Sequence, residues 1–291
     1  MSFVAVPNIA EGRDEAALAH LVDAARRARL LDIHRDYDHN RTVFTLAGSV
    51  IELTEAVVEL AIAVRTIDMT AHDGVHPWLG ALDVCPIVPI EPSAETLAEA
   101  RDVATNIAQA VGEVAGLPVY LYGAAARRAE TRSLPTLRRG GLATLMRRAS
   151  DGLLPDFGPR TIDPRTGVVC LGARGPLIAF NVMIDGALVE ARAIASRVRT
   201  TGGGPAGIRA LGVWLETKTR AQISMNLVEP DRTGIESAFE AVAREARAIG
   251  VEPVATEIVG LPLARYLPAE KSEAARLLIE PGRSLEEAIS V

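Results

Sequence analysis

Cysteine is nearly absent. Cys85 and Cys170 are the only two in 291 residues, and neither stands in a CxxC or finger spacing. That excludes a disulfide scaffold and points to a reducing compartment, the cytoplasm, with both thiols read as small buried hydrophobes. Long apolar runs are also lacking. No stretch of about 18 uncharged apolar residues occurs. Met1-Ser2-Phe3-Val4-Ala5-Val6-Pro7 carries no basic region ahead of a hydrophobic segment, so neither a membrane span nor secretion is expected. There is no GxSxG elbow, Walker loop or dinucleotide fingerprint, and no RNP, GXXG or zinc-finger pattern. The usual serine-hydrolase, nucleotide and nucleic-acid readings therefore lose their sequence support.

What is present is a chain long enough for one large domain or two medium ones. The net charge of -6 gives no general attraction to nucleic acid, but it is unevenly spread. Between Arg127 and Arg148 there are seven arginines (Arg127, Arg128, Arg132, Arg138, Arg139, Arg147, Arg148) against one acid, Glu130. The segment reads either as a landing surface for a small polyanion or as a solvated face.

The hydrophobic pattern gives the order β-α-β-β-α-β twice. In the first unit, residues 3–6 form a strand, with a turn at Pro7-Asn8. A helix over 14–29 turns Leu18, Leu21, Val22, Ala25 and Ala28 to one side. Strands follow over 31–36 and 42–48, then a helix over 53–67 and a strand over 84–90. Pro86 and Pro89 are expected to confine that last strand to an edge or a loop-like end. Residues 94–114 read as a helix and 118–121 as a short strand. Together with the arginine-rich segment they form a folded insert.

The second unit has strands over 177–184, 208–215, 221–228 and 254–259, with helices over 187–199 and after Thr233. Thr233 and Glu236 have capping-box spacing, and Gly250 closes that helix. A short helix over 273–279 follows. The fold expected is α+β, two tandem βαββαβ α/β sandwiches (residues 1–174, including the insert, and 175–291). In the strand over 221–228, Gln222, Ser224 and Asn226 alternate with Ile223, Met225 and Leu227. The polar set reads either as the wall of a cleft shared by the two lobes or as a solvated face.

Of the five histidines, His20 falls on a helix; His34, His39, His72 and His76 lie near strand ends of the first unit. His72 and His76 are four apart, but Gly74 and Pro77 break any regular helix and no Glu follows His72, so a zinc site is not supported. Imidazole suits proton movement near neutral pH, with Asp38 or Asp83 to orient it or balance charge. The glycine-rich Thr200-Thr201-Gly202-Gly203-Gly204-Pro205-Ala206-Gly207 follows a helix, which rules out a Rossmann turn. It lets a ligand approach the backbone, or simply ends the helix.

Taken together, these segments resemble the glutamate formiminotransferase family, folate-dependent enzymes of histidine breakdown that occur alone or as the N-terminal part of formiminotransferase-cyclodeaminase. The resemblance covers nearly all of residues 3–264. Val6-Pro7-Asn8-Ile9-Ala10-Glu11-Gly12 is similar to the family's PNxSEG loop, and Asp38-His39-Asn40-Arg41-Thr42-Val43 to its NR-T/S-V segment. His76-Pro77 with Gly80-Ala81-Leu82-Asp83-Val84-Cys85-Pro86 matches the segment of the catalytic histidine. Asp156-Phe157-Gly158-Pro159, Ala179-Phe180-Asn181, Arg199 near Gly202-Gly203, and Gln222-Ile223-Ser224-Met225-Asn226 complete the match. Ala10 stands where serine is common, and Trp78-Leu79 where the animal enzymes often carry arginine.

The resemblance implies two ferredoxin-like subdomains with a ligand groove between them. It also implies transfer of the formimino group from N-formimidoyl-L-glutamate to N5 of tetrahydrofolate, without a metal. His76 inherits the proton-shuttling role and Asp38 partners it. Arg41 and Arg199 are candidate carboxylate clamps. Asn8, Ser224 and Asn226 are expected at the pterin amide edge, with Asp83, Phe180, Asn181, Gly202 and Gly203 as further substrate or folate contacts. A formylglutamate-dependent formyltransferase and a silent reduced-folate-binding protein are the alternatives. A homodimer, and a separate cyclodeaminase for a following step, are the partners implied.

Overall fold

The computed structural model describes residues 2–291. The chain forms two compact units that meet in sequence at Gly175 and Pro176.

The first unit is a seven-stranded sheet: β1 (Phe3–Ala5), β2 (Asn8–Ile9), β3 (Arg29–Asp36), β4 (Arg41–Gly48), β5 (Leu82–Pro89), β6 (Val119–Gly123) and β7 (Val169–Ala173). Helices α1 (Glu15–Ala24), α2 (Val50–Ala63) and α3 (Ala94–Ala110) form from amphipathic segments with side-chain caps. Asp14 accepts the first-turn N–H groups of α1, and Ser49 and Glu52 cap α2 reciprocally. Leu53, Val57, Leu60 and Ala61 of α2 are wholly buried in the main core, beside Phe44 and Leu46 of β4. Each such leucine, valine or phenylalanine side chain contributes roughly 1.5–3 kcal/mol.

Two expectations fail here. The strand with two prolines is not an edge: β5 is buried along its whole length, pairing β1 and β2 on one side and β7 in parallel on the other. The prolines are tolerated because their missing donors fall at gaps in the ladder. Pro86 lies opposite the break between β1 and β2, where its carbonyl still accepts from Val6, and Pro89 is the last residue of the strand. The supposed turn at Pro7-Asn8 is that same break, since Asn8 already pairs with β4.

Residues 94–174 are likewise not an insert beside a finished sheet. They supply β6 and β7, which extend the sheet in parallel as β5-β7-β6. Short helices α4 (Ala129–Arg132), α5 (Leu134–Arg138) and α6 (Gly141–Ser150) follow β6. Leu137, Leu142 and Leu145 of α5 and α6 form a second core with Tyr120, Tyr122, Val84 and Cys170. The parallel strands are thereby covered on both faces, as parallel sheets usually are.

The arginine-rich segment folds with this layer. Arg128 lies 3.0 Å from the carboxylate of Asp156, Arg148 donates to the carbonyl of Thr136 at 3.1 Å, and Arg138 reaches Asp83. Arg127, Arg132, Arg139 and Arg147 are exposed.

The second unit has β8 (Ile178–Ile184), α7 (Leu188–Val198), β9 (Ile208–Leu215), β10 (Arg220–Leu227), α8 (Ile235–Arg247) and β11 (Pro253–Val259), with short helices α9 (Glu273–Arg276) and α10 (Leu285–Ser290). The β-α-β-β-α-β order makes an antiparallel sheet in the order β11-β8-β10-β9, consistent with a ferredoxin-like sandwich. The Thr233–Glu236 capping box does not form. Gly234 is the N-cap with no side-chain bond, and Glu236 instead accepts the N–H of Ala269 at 2.8 Å.

Candidate functional site

The β3–β4 connection is the base of the site. Its last residue, Asn40, is left-handed, with φ of 46°. Asparagine tolerates this region better than most side chains. Its Oδ1 accepts the buried N–H of Gly12 at 2.9 Å, and its Nδ2 lies 3.3 Å from Nδ1 of His72. A donating Asn40 amide fixes the neutral His72 tautomer with its proton on Nε2. Two neighbouring loops press against the hairpin at glycines: a Cβ on Gly12 would sit 2.4 Å from the carbonyl oxygen of Asp36, and one on Gly74 would sit 2.2 Å from that of His39.

Ile9, Ala10, His39, Asn40, Arg41, His72, His76, Trp78 and Asp83 line a hollow of about 190 Å³ including its open mouth. Little more than one water-sized group fits inside it, far less than the roughly 300–1,000 Å³ of a usual ligand cleft. The His39 and His76 rings are 6.3 Å apart, and His72 meets Trp78 edge-on at 5.5 Å. Asp36 Oδ1 accepts the backbone N–H of His39 at 2.7 Å and lies 3.0 Å from its Nδ1, without hydrogen-bond alignment to that ring nitrogen.

Arg41, at the start of β4, donates through Nη2 to Oδ1 of Asn8, whose own Nδ2 holds the carbonyl of Val6 at 2.7 Å. Its Nε is buried with no hydrogen-bond partner. Burial lowers the Arg41 pKa to about 10, Asp83 partly restores it, and Arg138 lowers it further. Asp83, on β5, accepts from the N–H of Leu79 at 2.9 Å and from Nη2 of Arg138.

His76 is half-buried, closely surrounded by protein atoms yet not sealed from solvent. Its pKa is pushed well below the ordinary 6.5, first by burial and then by the positive charges of Arg41 and Arg138 and by His39. It is therefore a neutral imidazole at pH 7, able to accept a proton. Burial also lowers the pKa of His72, against the pull of Asp73 and Glu11.

The structure thus brings Asn8, Arg41, His76 and Asp83 into one cluster. Asp38 is buried in the same turn, where its carbonyl accepts from Val75 at 3.3 Å; it does not line the hollow. Arg138 is an addition that sequence reasoning had not placed there, while Asn40 and Trp78 stood only within the matched segments, with no role at the site assigned to Asn40. The asparagine at a hairpin end was the one readable signal among them.

In the second unit, Phe180 is wholly buried on β8, paired with the buried Met225 of β10. Asn181 donates to Glu257 at 2.8 Å and stands opposite Ser224, while Asn226 is exposed. Arg199 caps α7 and donates to Ser196 at 3.1 Å. Gly202 and Gly203 serve the turn itself: a Cβ on Gly202 would strike the carbonyl of Ser196 at 1.8 Å, and Gly203 has φ of 90°.

The family signature described as "Formiminotransferase domain, N-terminal subdomain" matches residues 2–174, and that described as "Formiminotransferase domain" matches residues 179–279. The chain belongs to the glutamate formiminotransferase family. It is 38% identical over 268 residues to the glutamate formimidoyltransferase of Streptococcus pyogenes, covering 90% of this chain and 89% of that one. With the glutamate formimidoyltransferase of Thermoplasma acidophilum it shares 37% identity, covering 88% and 86%. A formimidoyltransferase-cyclodeaminase of Sus scrofa is 37% identical over 280 residues, and there the chain spans 51% of the relative's length. Membership makes this formiminotransferase a group-transfer enzyme.

Proposed function

We propose that this formiminotransferase moves the formimidoyl group of N-formimidoyl-L-glutamate to N5 of tetrahydrofolate, a step of histidine breakdown, in the cytoplasm. The observation that supports this reading is that His76 and the partly unsatisfied guanidinium of Arg41 line one hollow, where burial and that charge lower the histidine's pKa. The new C–N bond at the amidine carbon requires a base for the proton of the attacking amine. Breaking the bond to glutamate requires an acid for the departing nitrogen. His76 takes the proton in the first step and returns it in the second, so atoms and charge balance without another group. Arg41 offers its unused Nε–H to a glutamate carboxylate, and such charge-assisted bonds are strong and directional. Asp38, buried behind the hollow, is proposed to act only as nearby negative charge, and Arg199, Ser224 and Asn226 remain proposed substrate contacts of the second unit.

The test is a turnover assay offering formimidoylglutamate and formylglutamate in turn with tetrahydrofolate. Wild type turns over the formimidoyl donor. His76→Ala lowers kcat roughly 10²- to 10⁴-fold with folate binding retained, while His72→Ala loses much less. Equal losses in the two variants remove His76 from the mechanism. Turnover of formylglutamate alone makes the protein a formyltransferase, and folate binding without turnover makes it a silent binder.

A further inference from the structure

We propose that Arg138 is a positioning residue: it occupies the buried carboxylate of Asp83 and so leaves the guanidinium of Arg41 turned to Asn8 and free to receive the donor. This deepens the transfer reaction proposed above and rests on it.

Three charges share one buried corner. Asp83 has a side-chain exposure of 3% and Arg138 one of 16%. Both oxygens of Asp83 are taken, Oδ1 by the N–H of Leu79 at 2.9 Å and Oδ2 by Arg138. Arg41 feels the field of both Asp83 and Arg138, yet its hydrogen bond goes to the neutral amide oxygen of Asn8. A buried carboxylate with a free oxygen near a second guanidinium would pair with it, because that pairing offsets desolvation of both charges.

Arg138 prevents the pairing by arriving from α5, on the opposite face of the sheet from α1–α3. The arrangement is costly, since Nε of Arg41 and Nε of Arg138 are both buried without hydrogen-bond partners. A purely structural contact would be served as well by apolar residues of similar size. A corner with one excess positive charge and an unused Arg41 donor fits an incoming carboxylate. The groups facing His76 there are Arg41 from β4, Arg138 from α5 and His39 from the hairpin turn, with His72 and Asp83 lining the same hollow.

The test uses the full chain in four forms: wild type, Arg138→Met, Arg138→Lys and the double variant Arg138→Met with Asp83→Asn. Kinetics with both substrates are combined with an NMR titration of His76, its resonances assigned by their absence in His76→Ala. In Arg138→Met, Asp83 captures Arg41. KM for the formimidoyl donor then rises at least roughly tenfold, the scale of one lost charge-assisted bond, while KM for the folate hardly moves. His76 titrates at higher pH, since one of the two cations that lower its pKa has gone and the other is now paired with Asp83. Arg138→Lys, which keeps the charge without the fork, falls between. In the double variant the neutral amide introduced at position 83 still accepts from Leu79 but no longer attracts Arg41, so the donor KM returns toward wild type.

A merely structural Arg138 gives the opposite pattern: a lower melting temperature and active fraction with both KM values unchanged, and a His76 titration that moves in Arg138→Met through the lost charge alone and stays at the wild-type position in Arg138→Lys. That pattern, or a double variant no better than Arg138→Met, overturns the proposal. The titration needs no turnover, so it separates failure of this inference from failure of the proposed reaction.

Discussion

Asn40→Ala isolates the device that holds the site's loops together. Asn40 has φ of 46°, a left-handed conformation that costs alanine roughly 1–2 kcal/mol. Its Oδ1 is the acceptor for the buried N–H of Gly12, at 2.9 Å. Stranding that donor away from water costs roughly 1–3 kcal/mol more. The Nδ2 contact to His72 is long, at 3.3 Å, and adds little. The substitution should therefore destabilise the first unit by about 3 kcal/mol. Asn40→Gly loses the same bonds but adopts positive φ freely, so it should be milder by about 1–2 kcal/mol.

The assay is urea unfolding followed by the fluorescence of Trp78, which packs against both cores of the first unit. A Trp214→Phe background removes the only other tryptophan. With a slope of about 1–3 kcal/mol per molar urea, the alanine midpoint falls by about 1–3 M. Equal midpoints for alanine and glycine would refute the conformational argument. Wild-type midpoints for both would refute the role of the Gly12 bond as well.

Because the His76 pKa lies well below 6.5, kcat should stay flat through neutrality and fall only on the acid side of the ordinary histidine range. A kinetic limb at the ordinary value, still present in His76→Ala, contradicts this. The same shift has a stability consequence: the unfolded chain binds a proton at His76 before the folded one does, so stability should decline as pH drops below about 6.5. His76→Ala should flatten that part of the stability curve, and an unchanged curve speaks against the burial assigned to the ring. Gly74→Ala places a methyl group 2.2 Å from the carbonyl oxygen of His39. It should cost roughly 1–3 kcal/mol or displace the loop, visible as moved His72 and His76 resonances; an unperturbed spectrum refutes the close approach. Ser49→Ala removes the α2 capping box and should cost about 1 kcal/mol, read as a lower urea midpoint.

Helices and antiparallel strands were legible because each buries one face and exposes the other. In α2, Leu53, Val57, Leu60 and Ala61 recur at helical spacing, and all are wholly buried. In β10 the register places Ile223, Met225 and Leu227 in the core, while Ser224 and Asn226 keep solvent access. Gln222 departs from that pattern, being fully buried with neither amide atom hydrogen-bonded. What alternation cannot reveal is a strand buried on both faces. Val169-Cys170-Leu171-Gly172-Ala173 has no polar side, so β7 carried no period to find, and without β7 the segment after β5 looked like an addition. Pro86 and Pro89 made β5 read as an edge, because sequence cannot show that their missing donors fall at gaps in the ladder. Thr233 failed for a different reason: the caps of α8 are decided by where Glu236 finds a tertiary donor, the N–H of Ala269, which lies 33 residues away.

The site divides along the same line. Asn40, Arg41 and His76 were readable because each lies in a short run whose neighbours fix its loop: an asparagine able to turn left-handed, an arginine opening a strand, and a histidine ahead of Pro77. Arg138 was not readable, because charge counting sums a segment without regard to direction. Arg138, Arg128 and Arg148 point inward to partners set by the second layer, and the Asp83 that receives Arg138 is 55 residues away in sequence. The arginine that matters to the site is thus identified by the carboxylate it meets, and that meeting exists only once β7 has completed the sheet over which α5 folds.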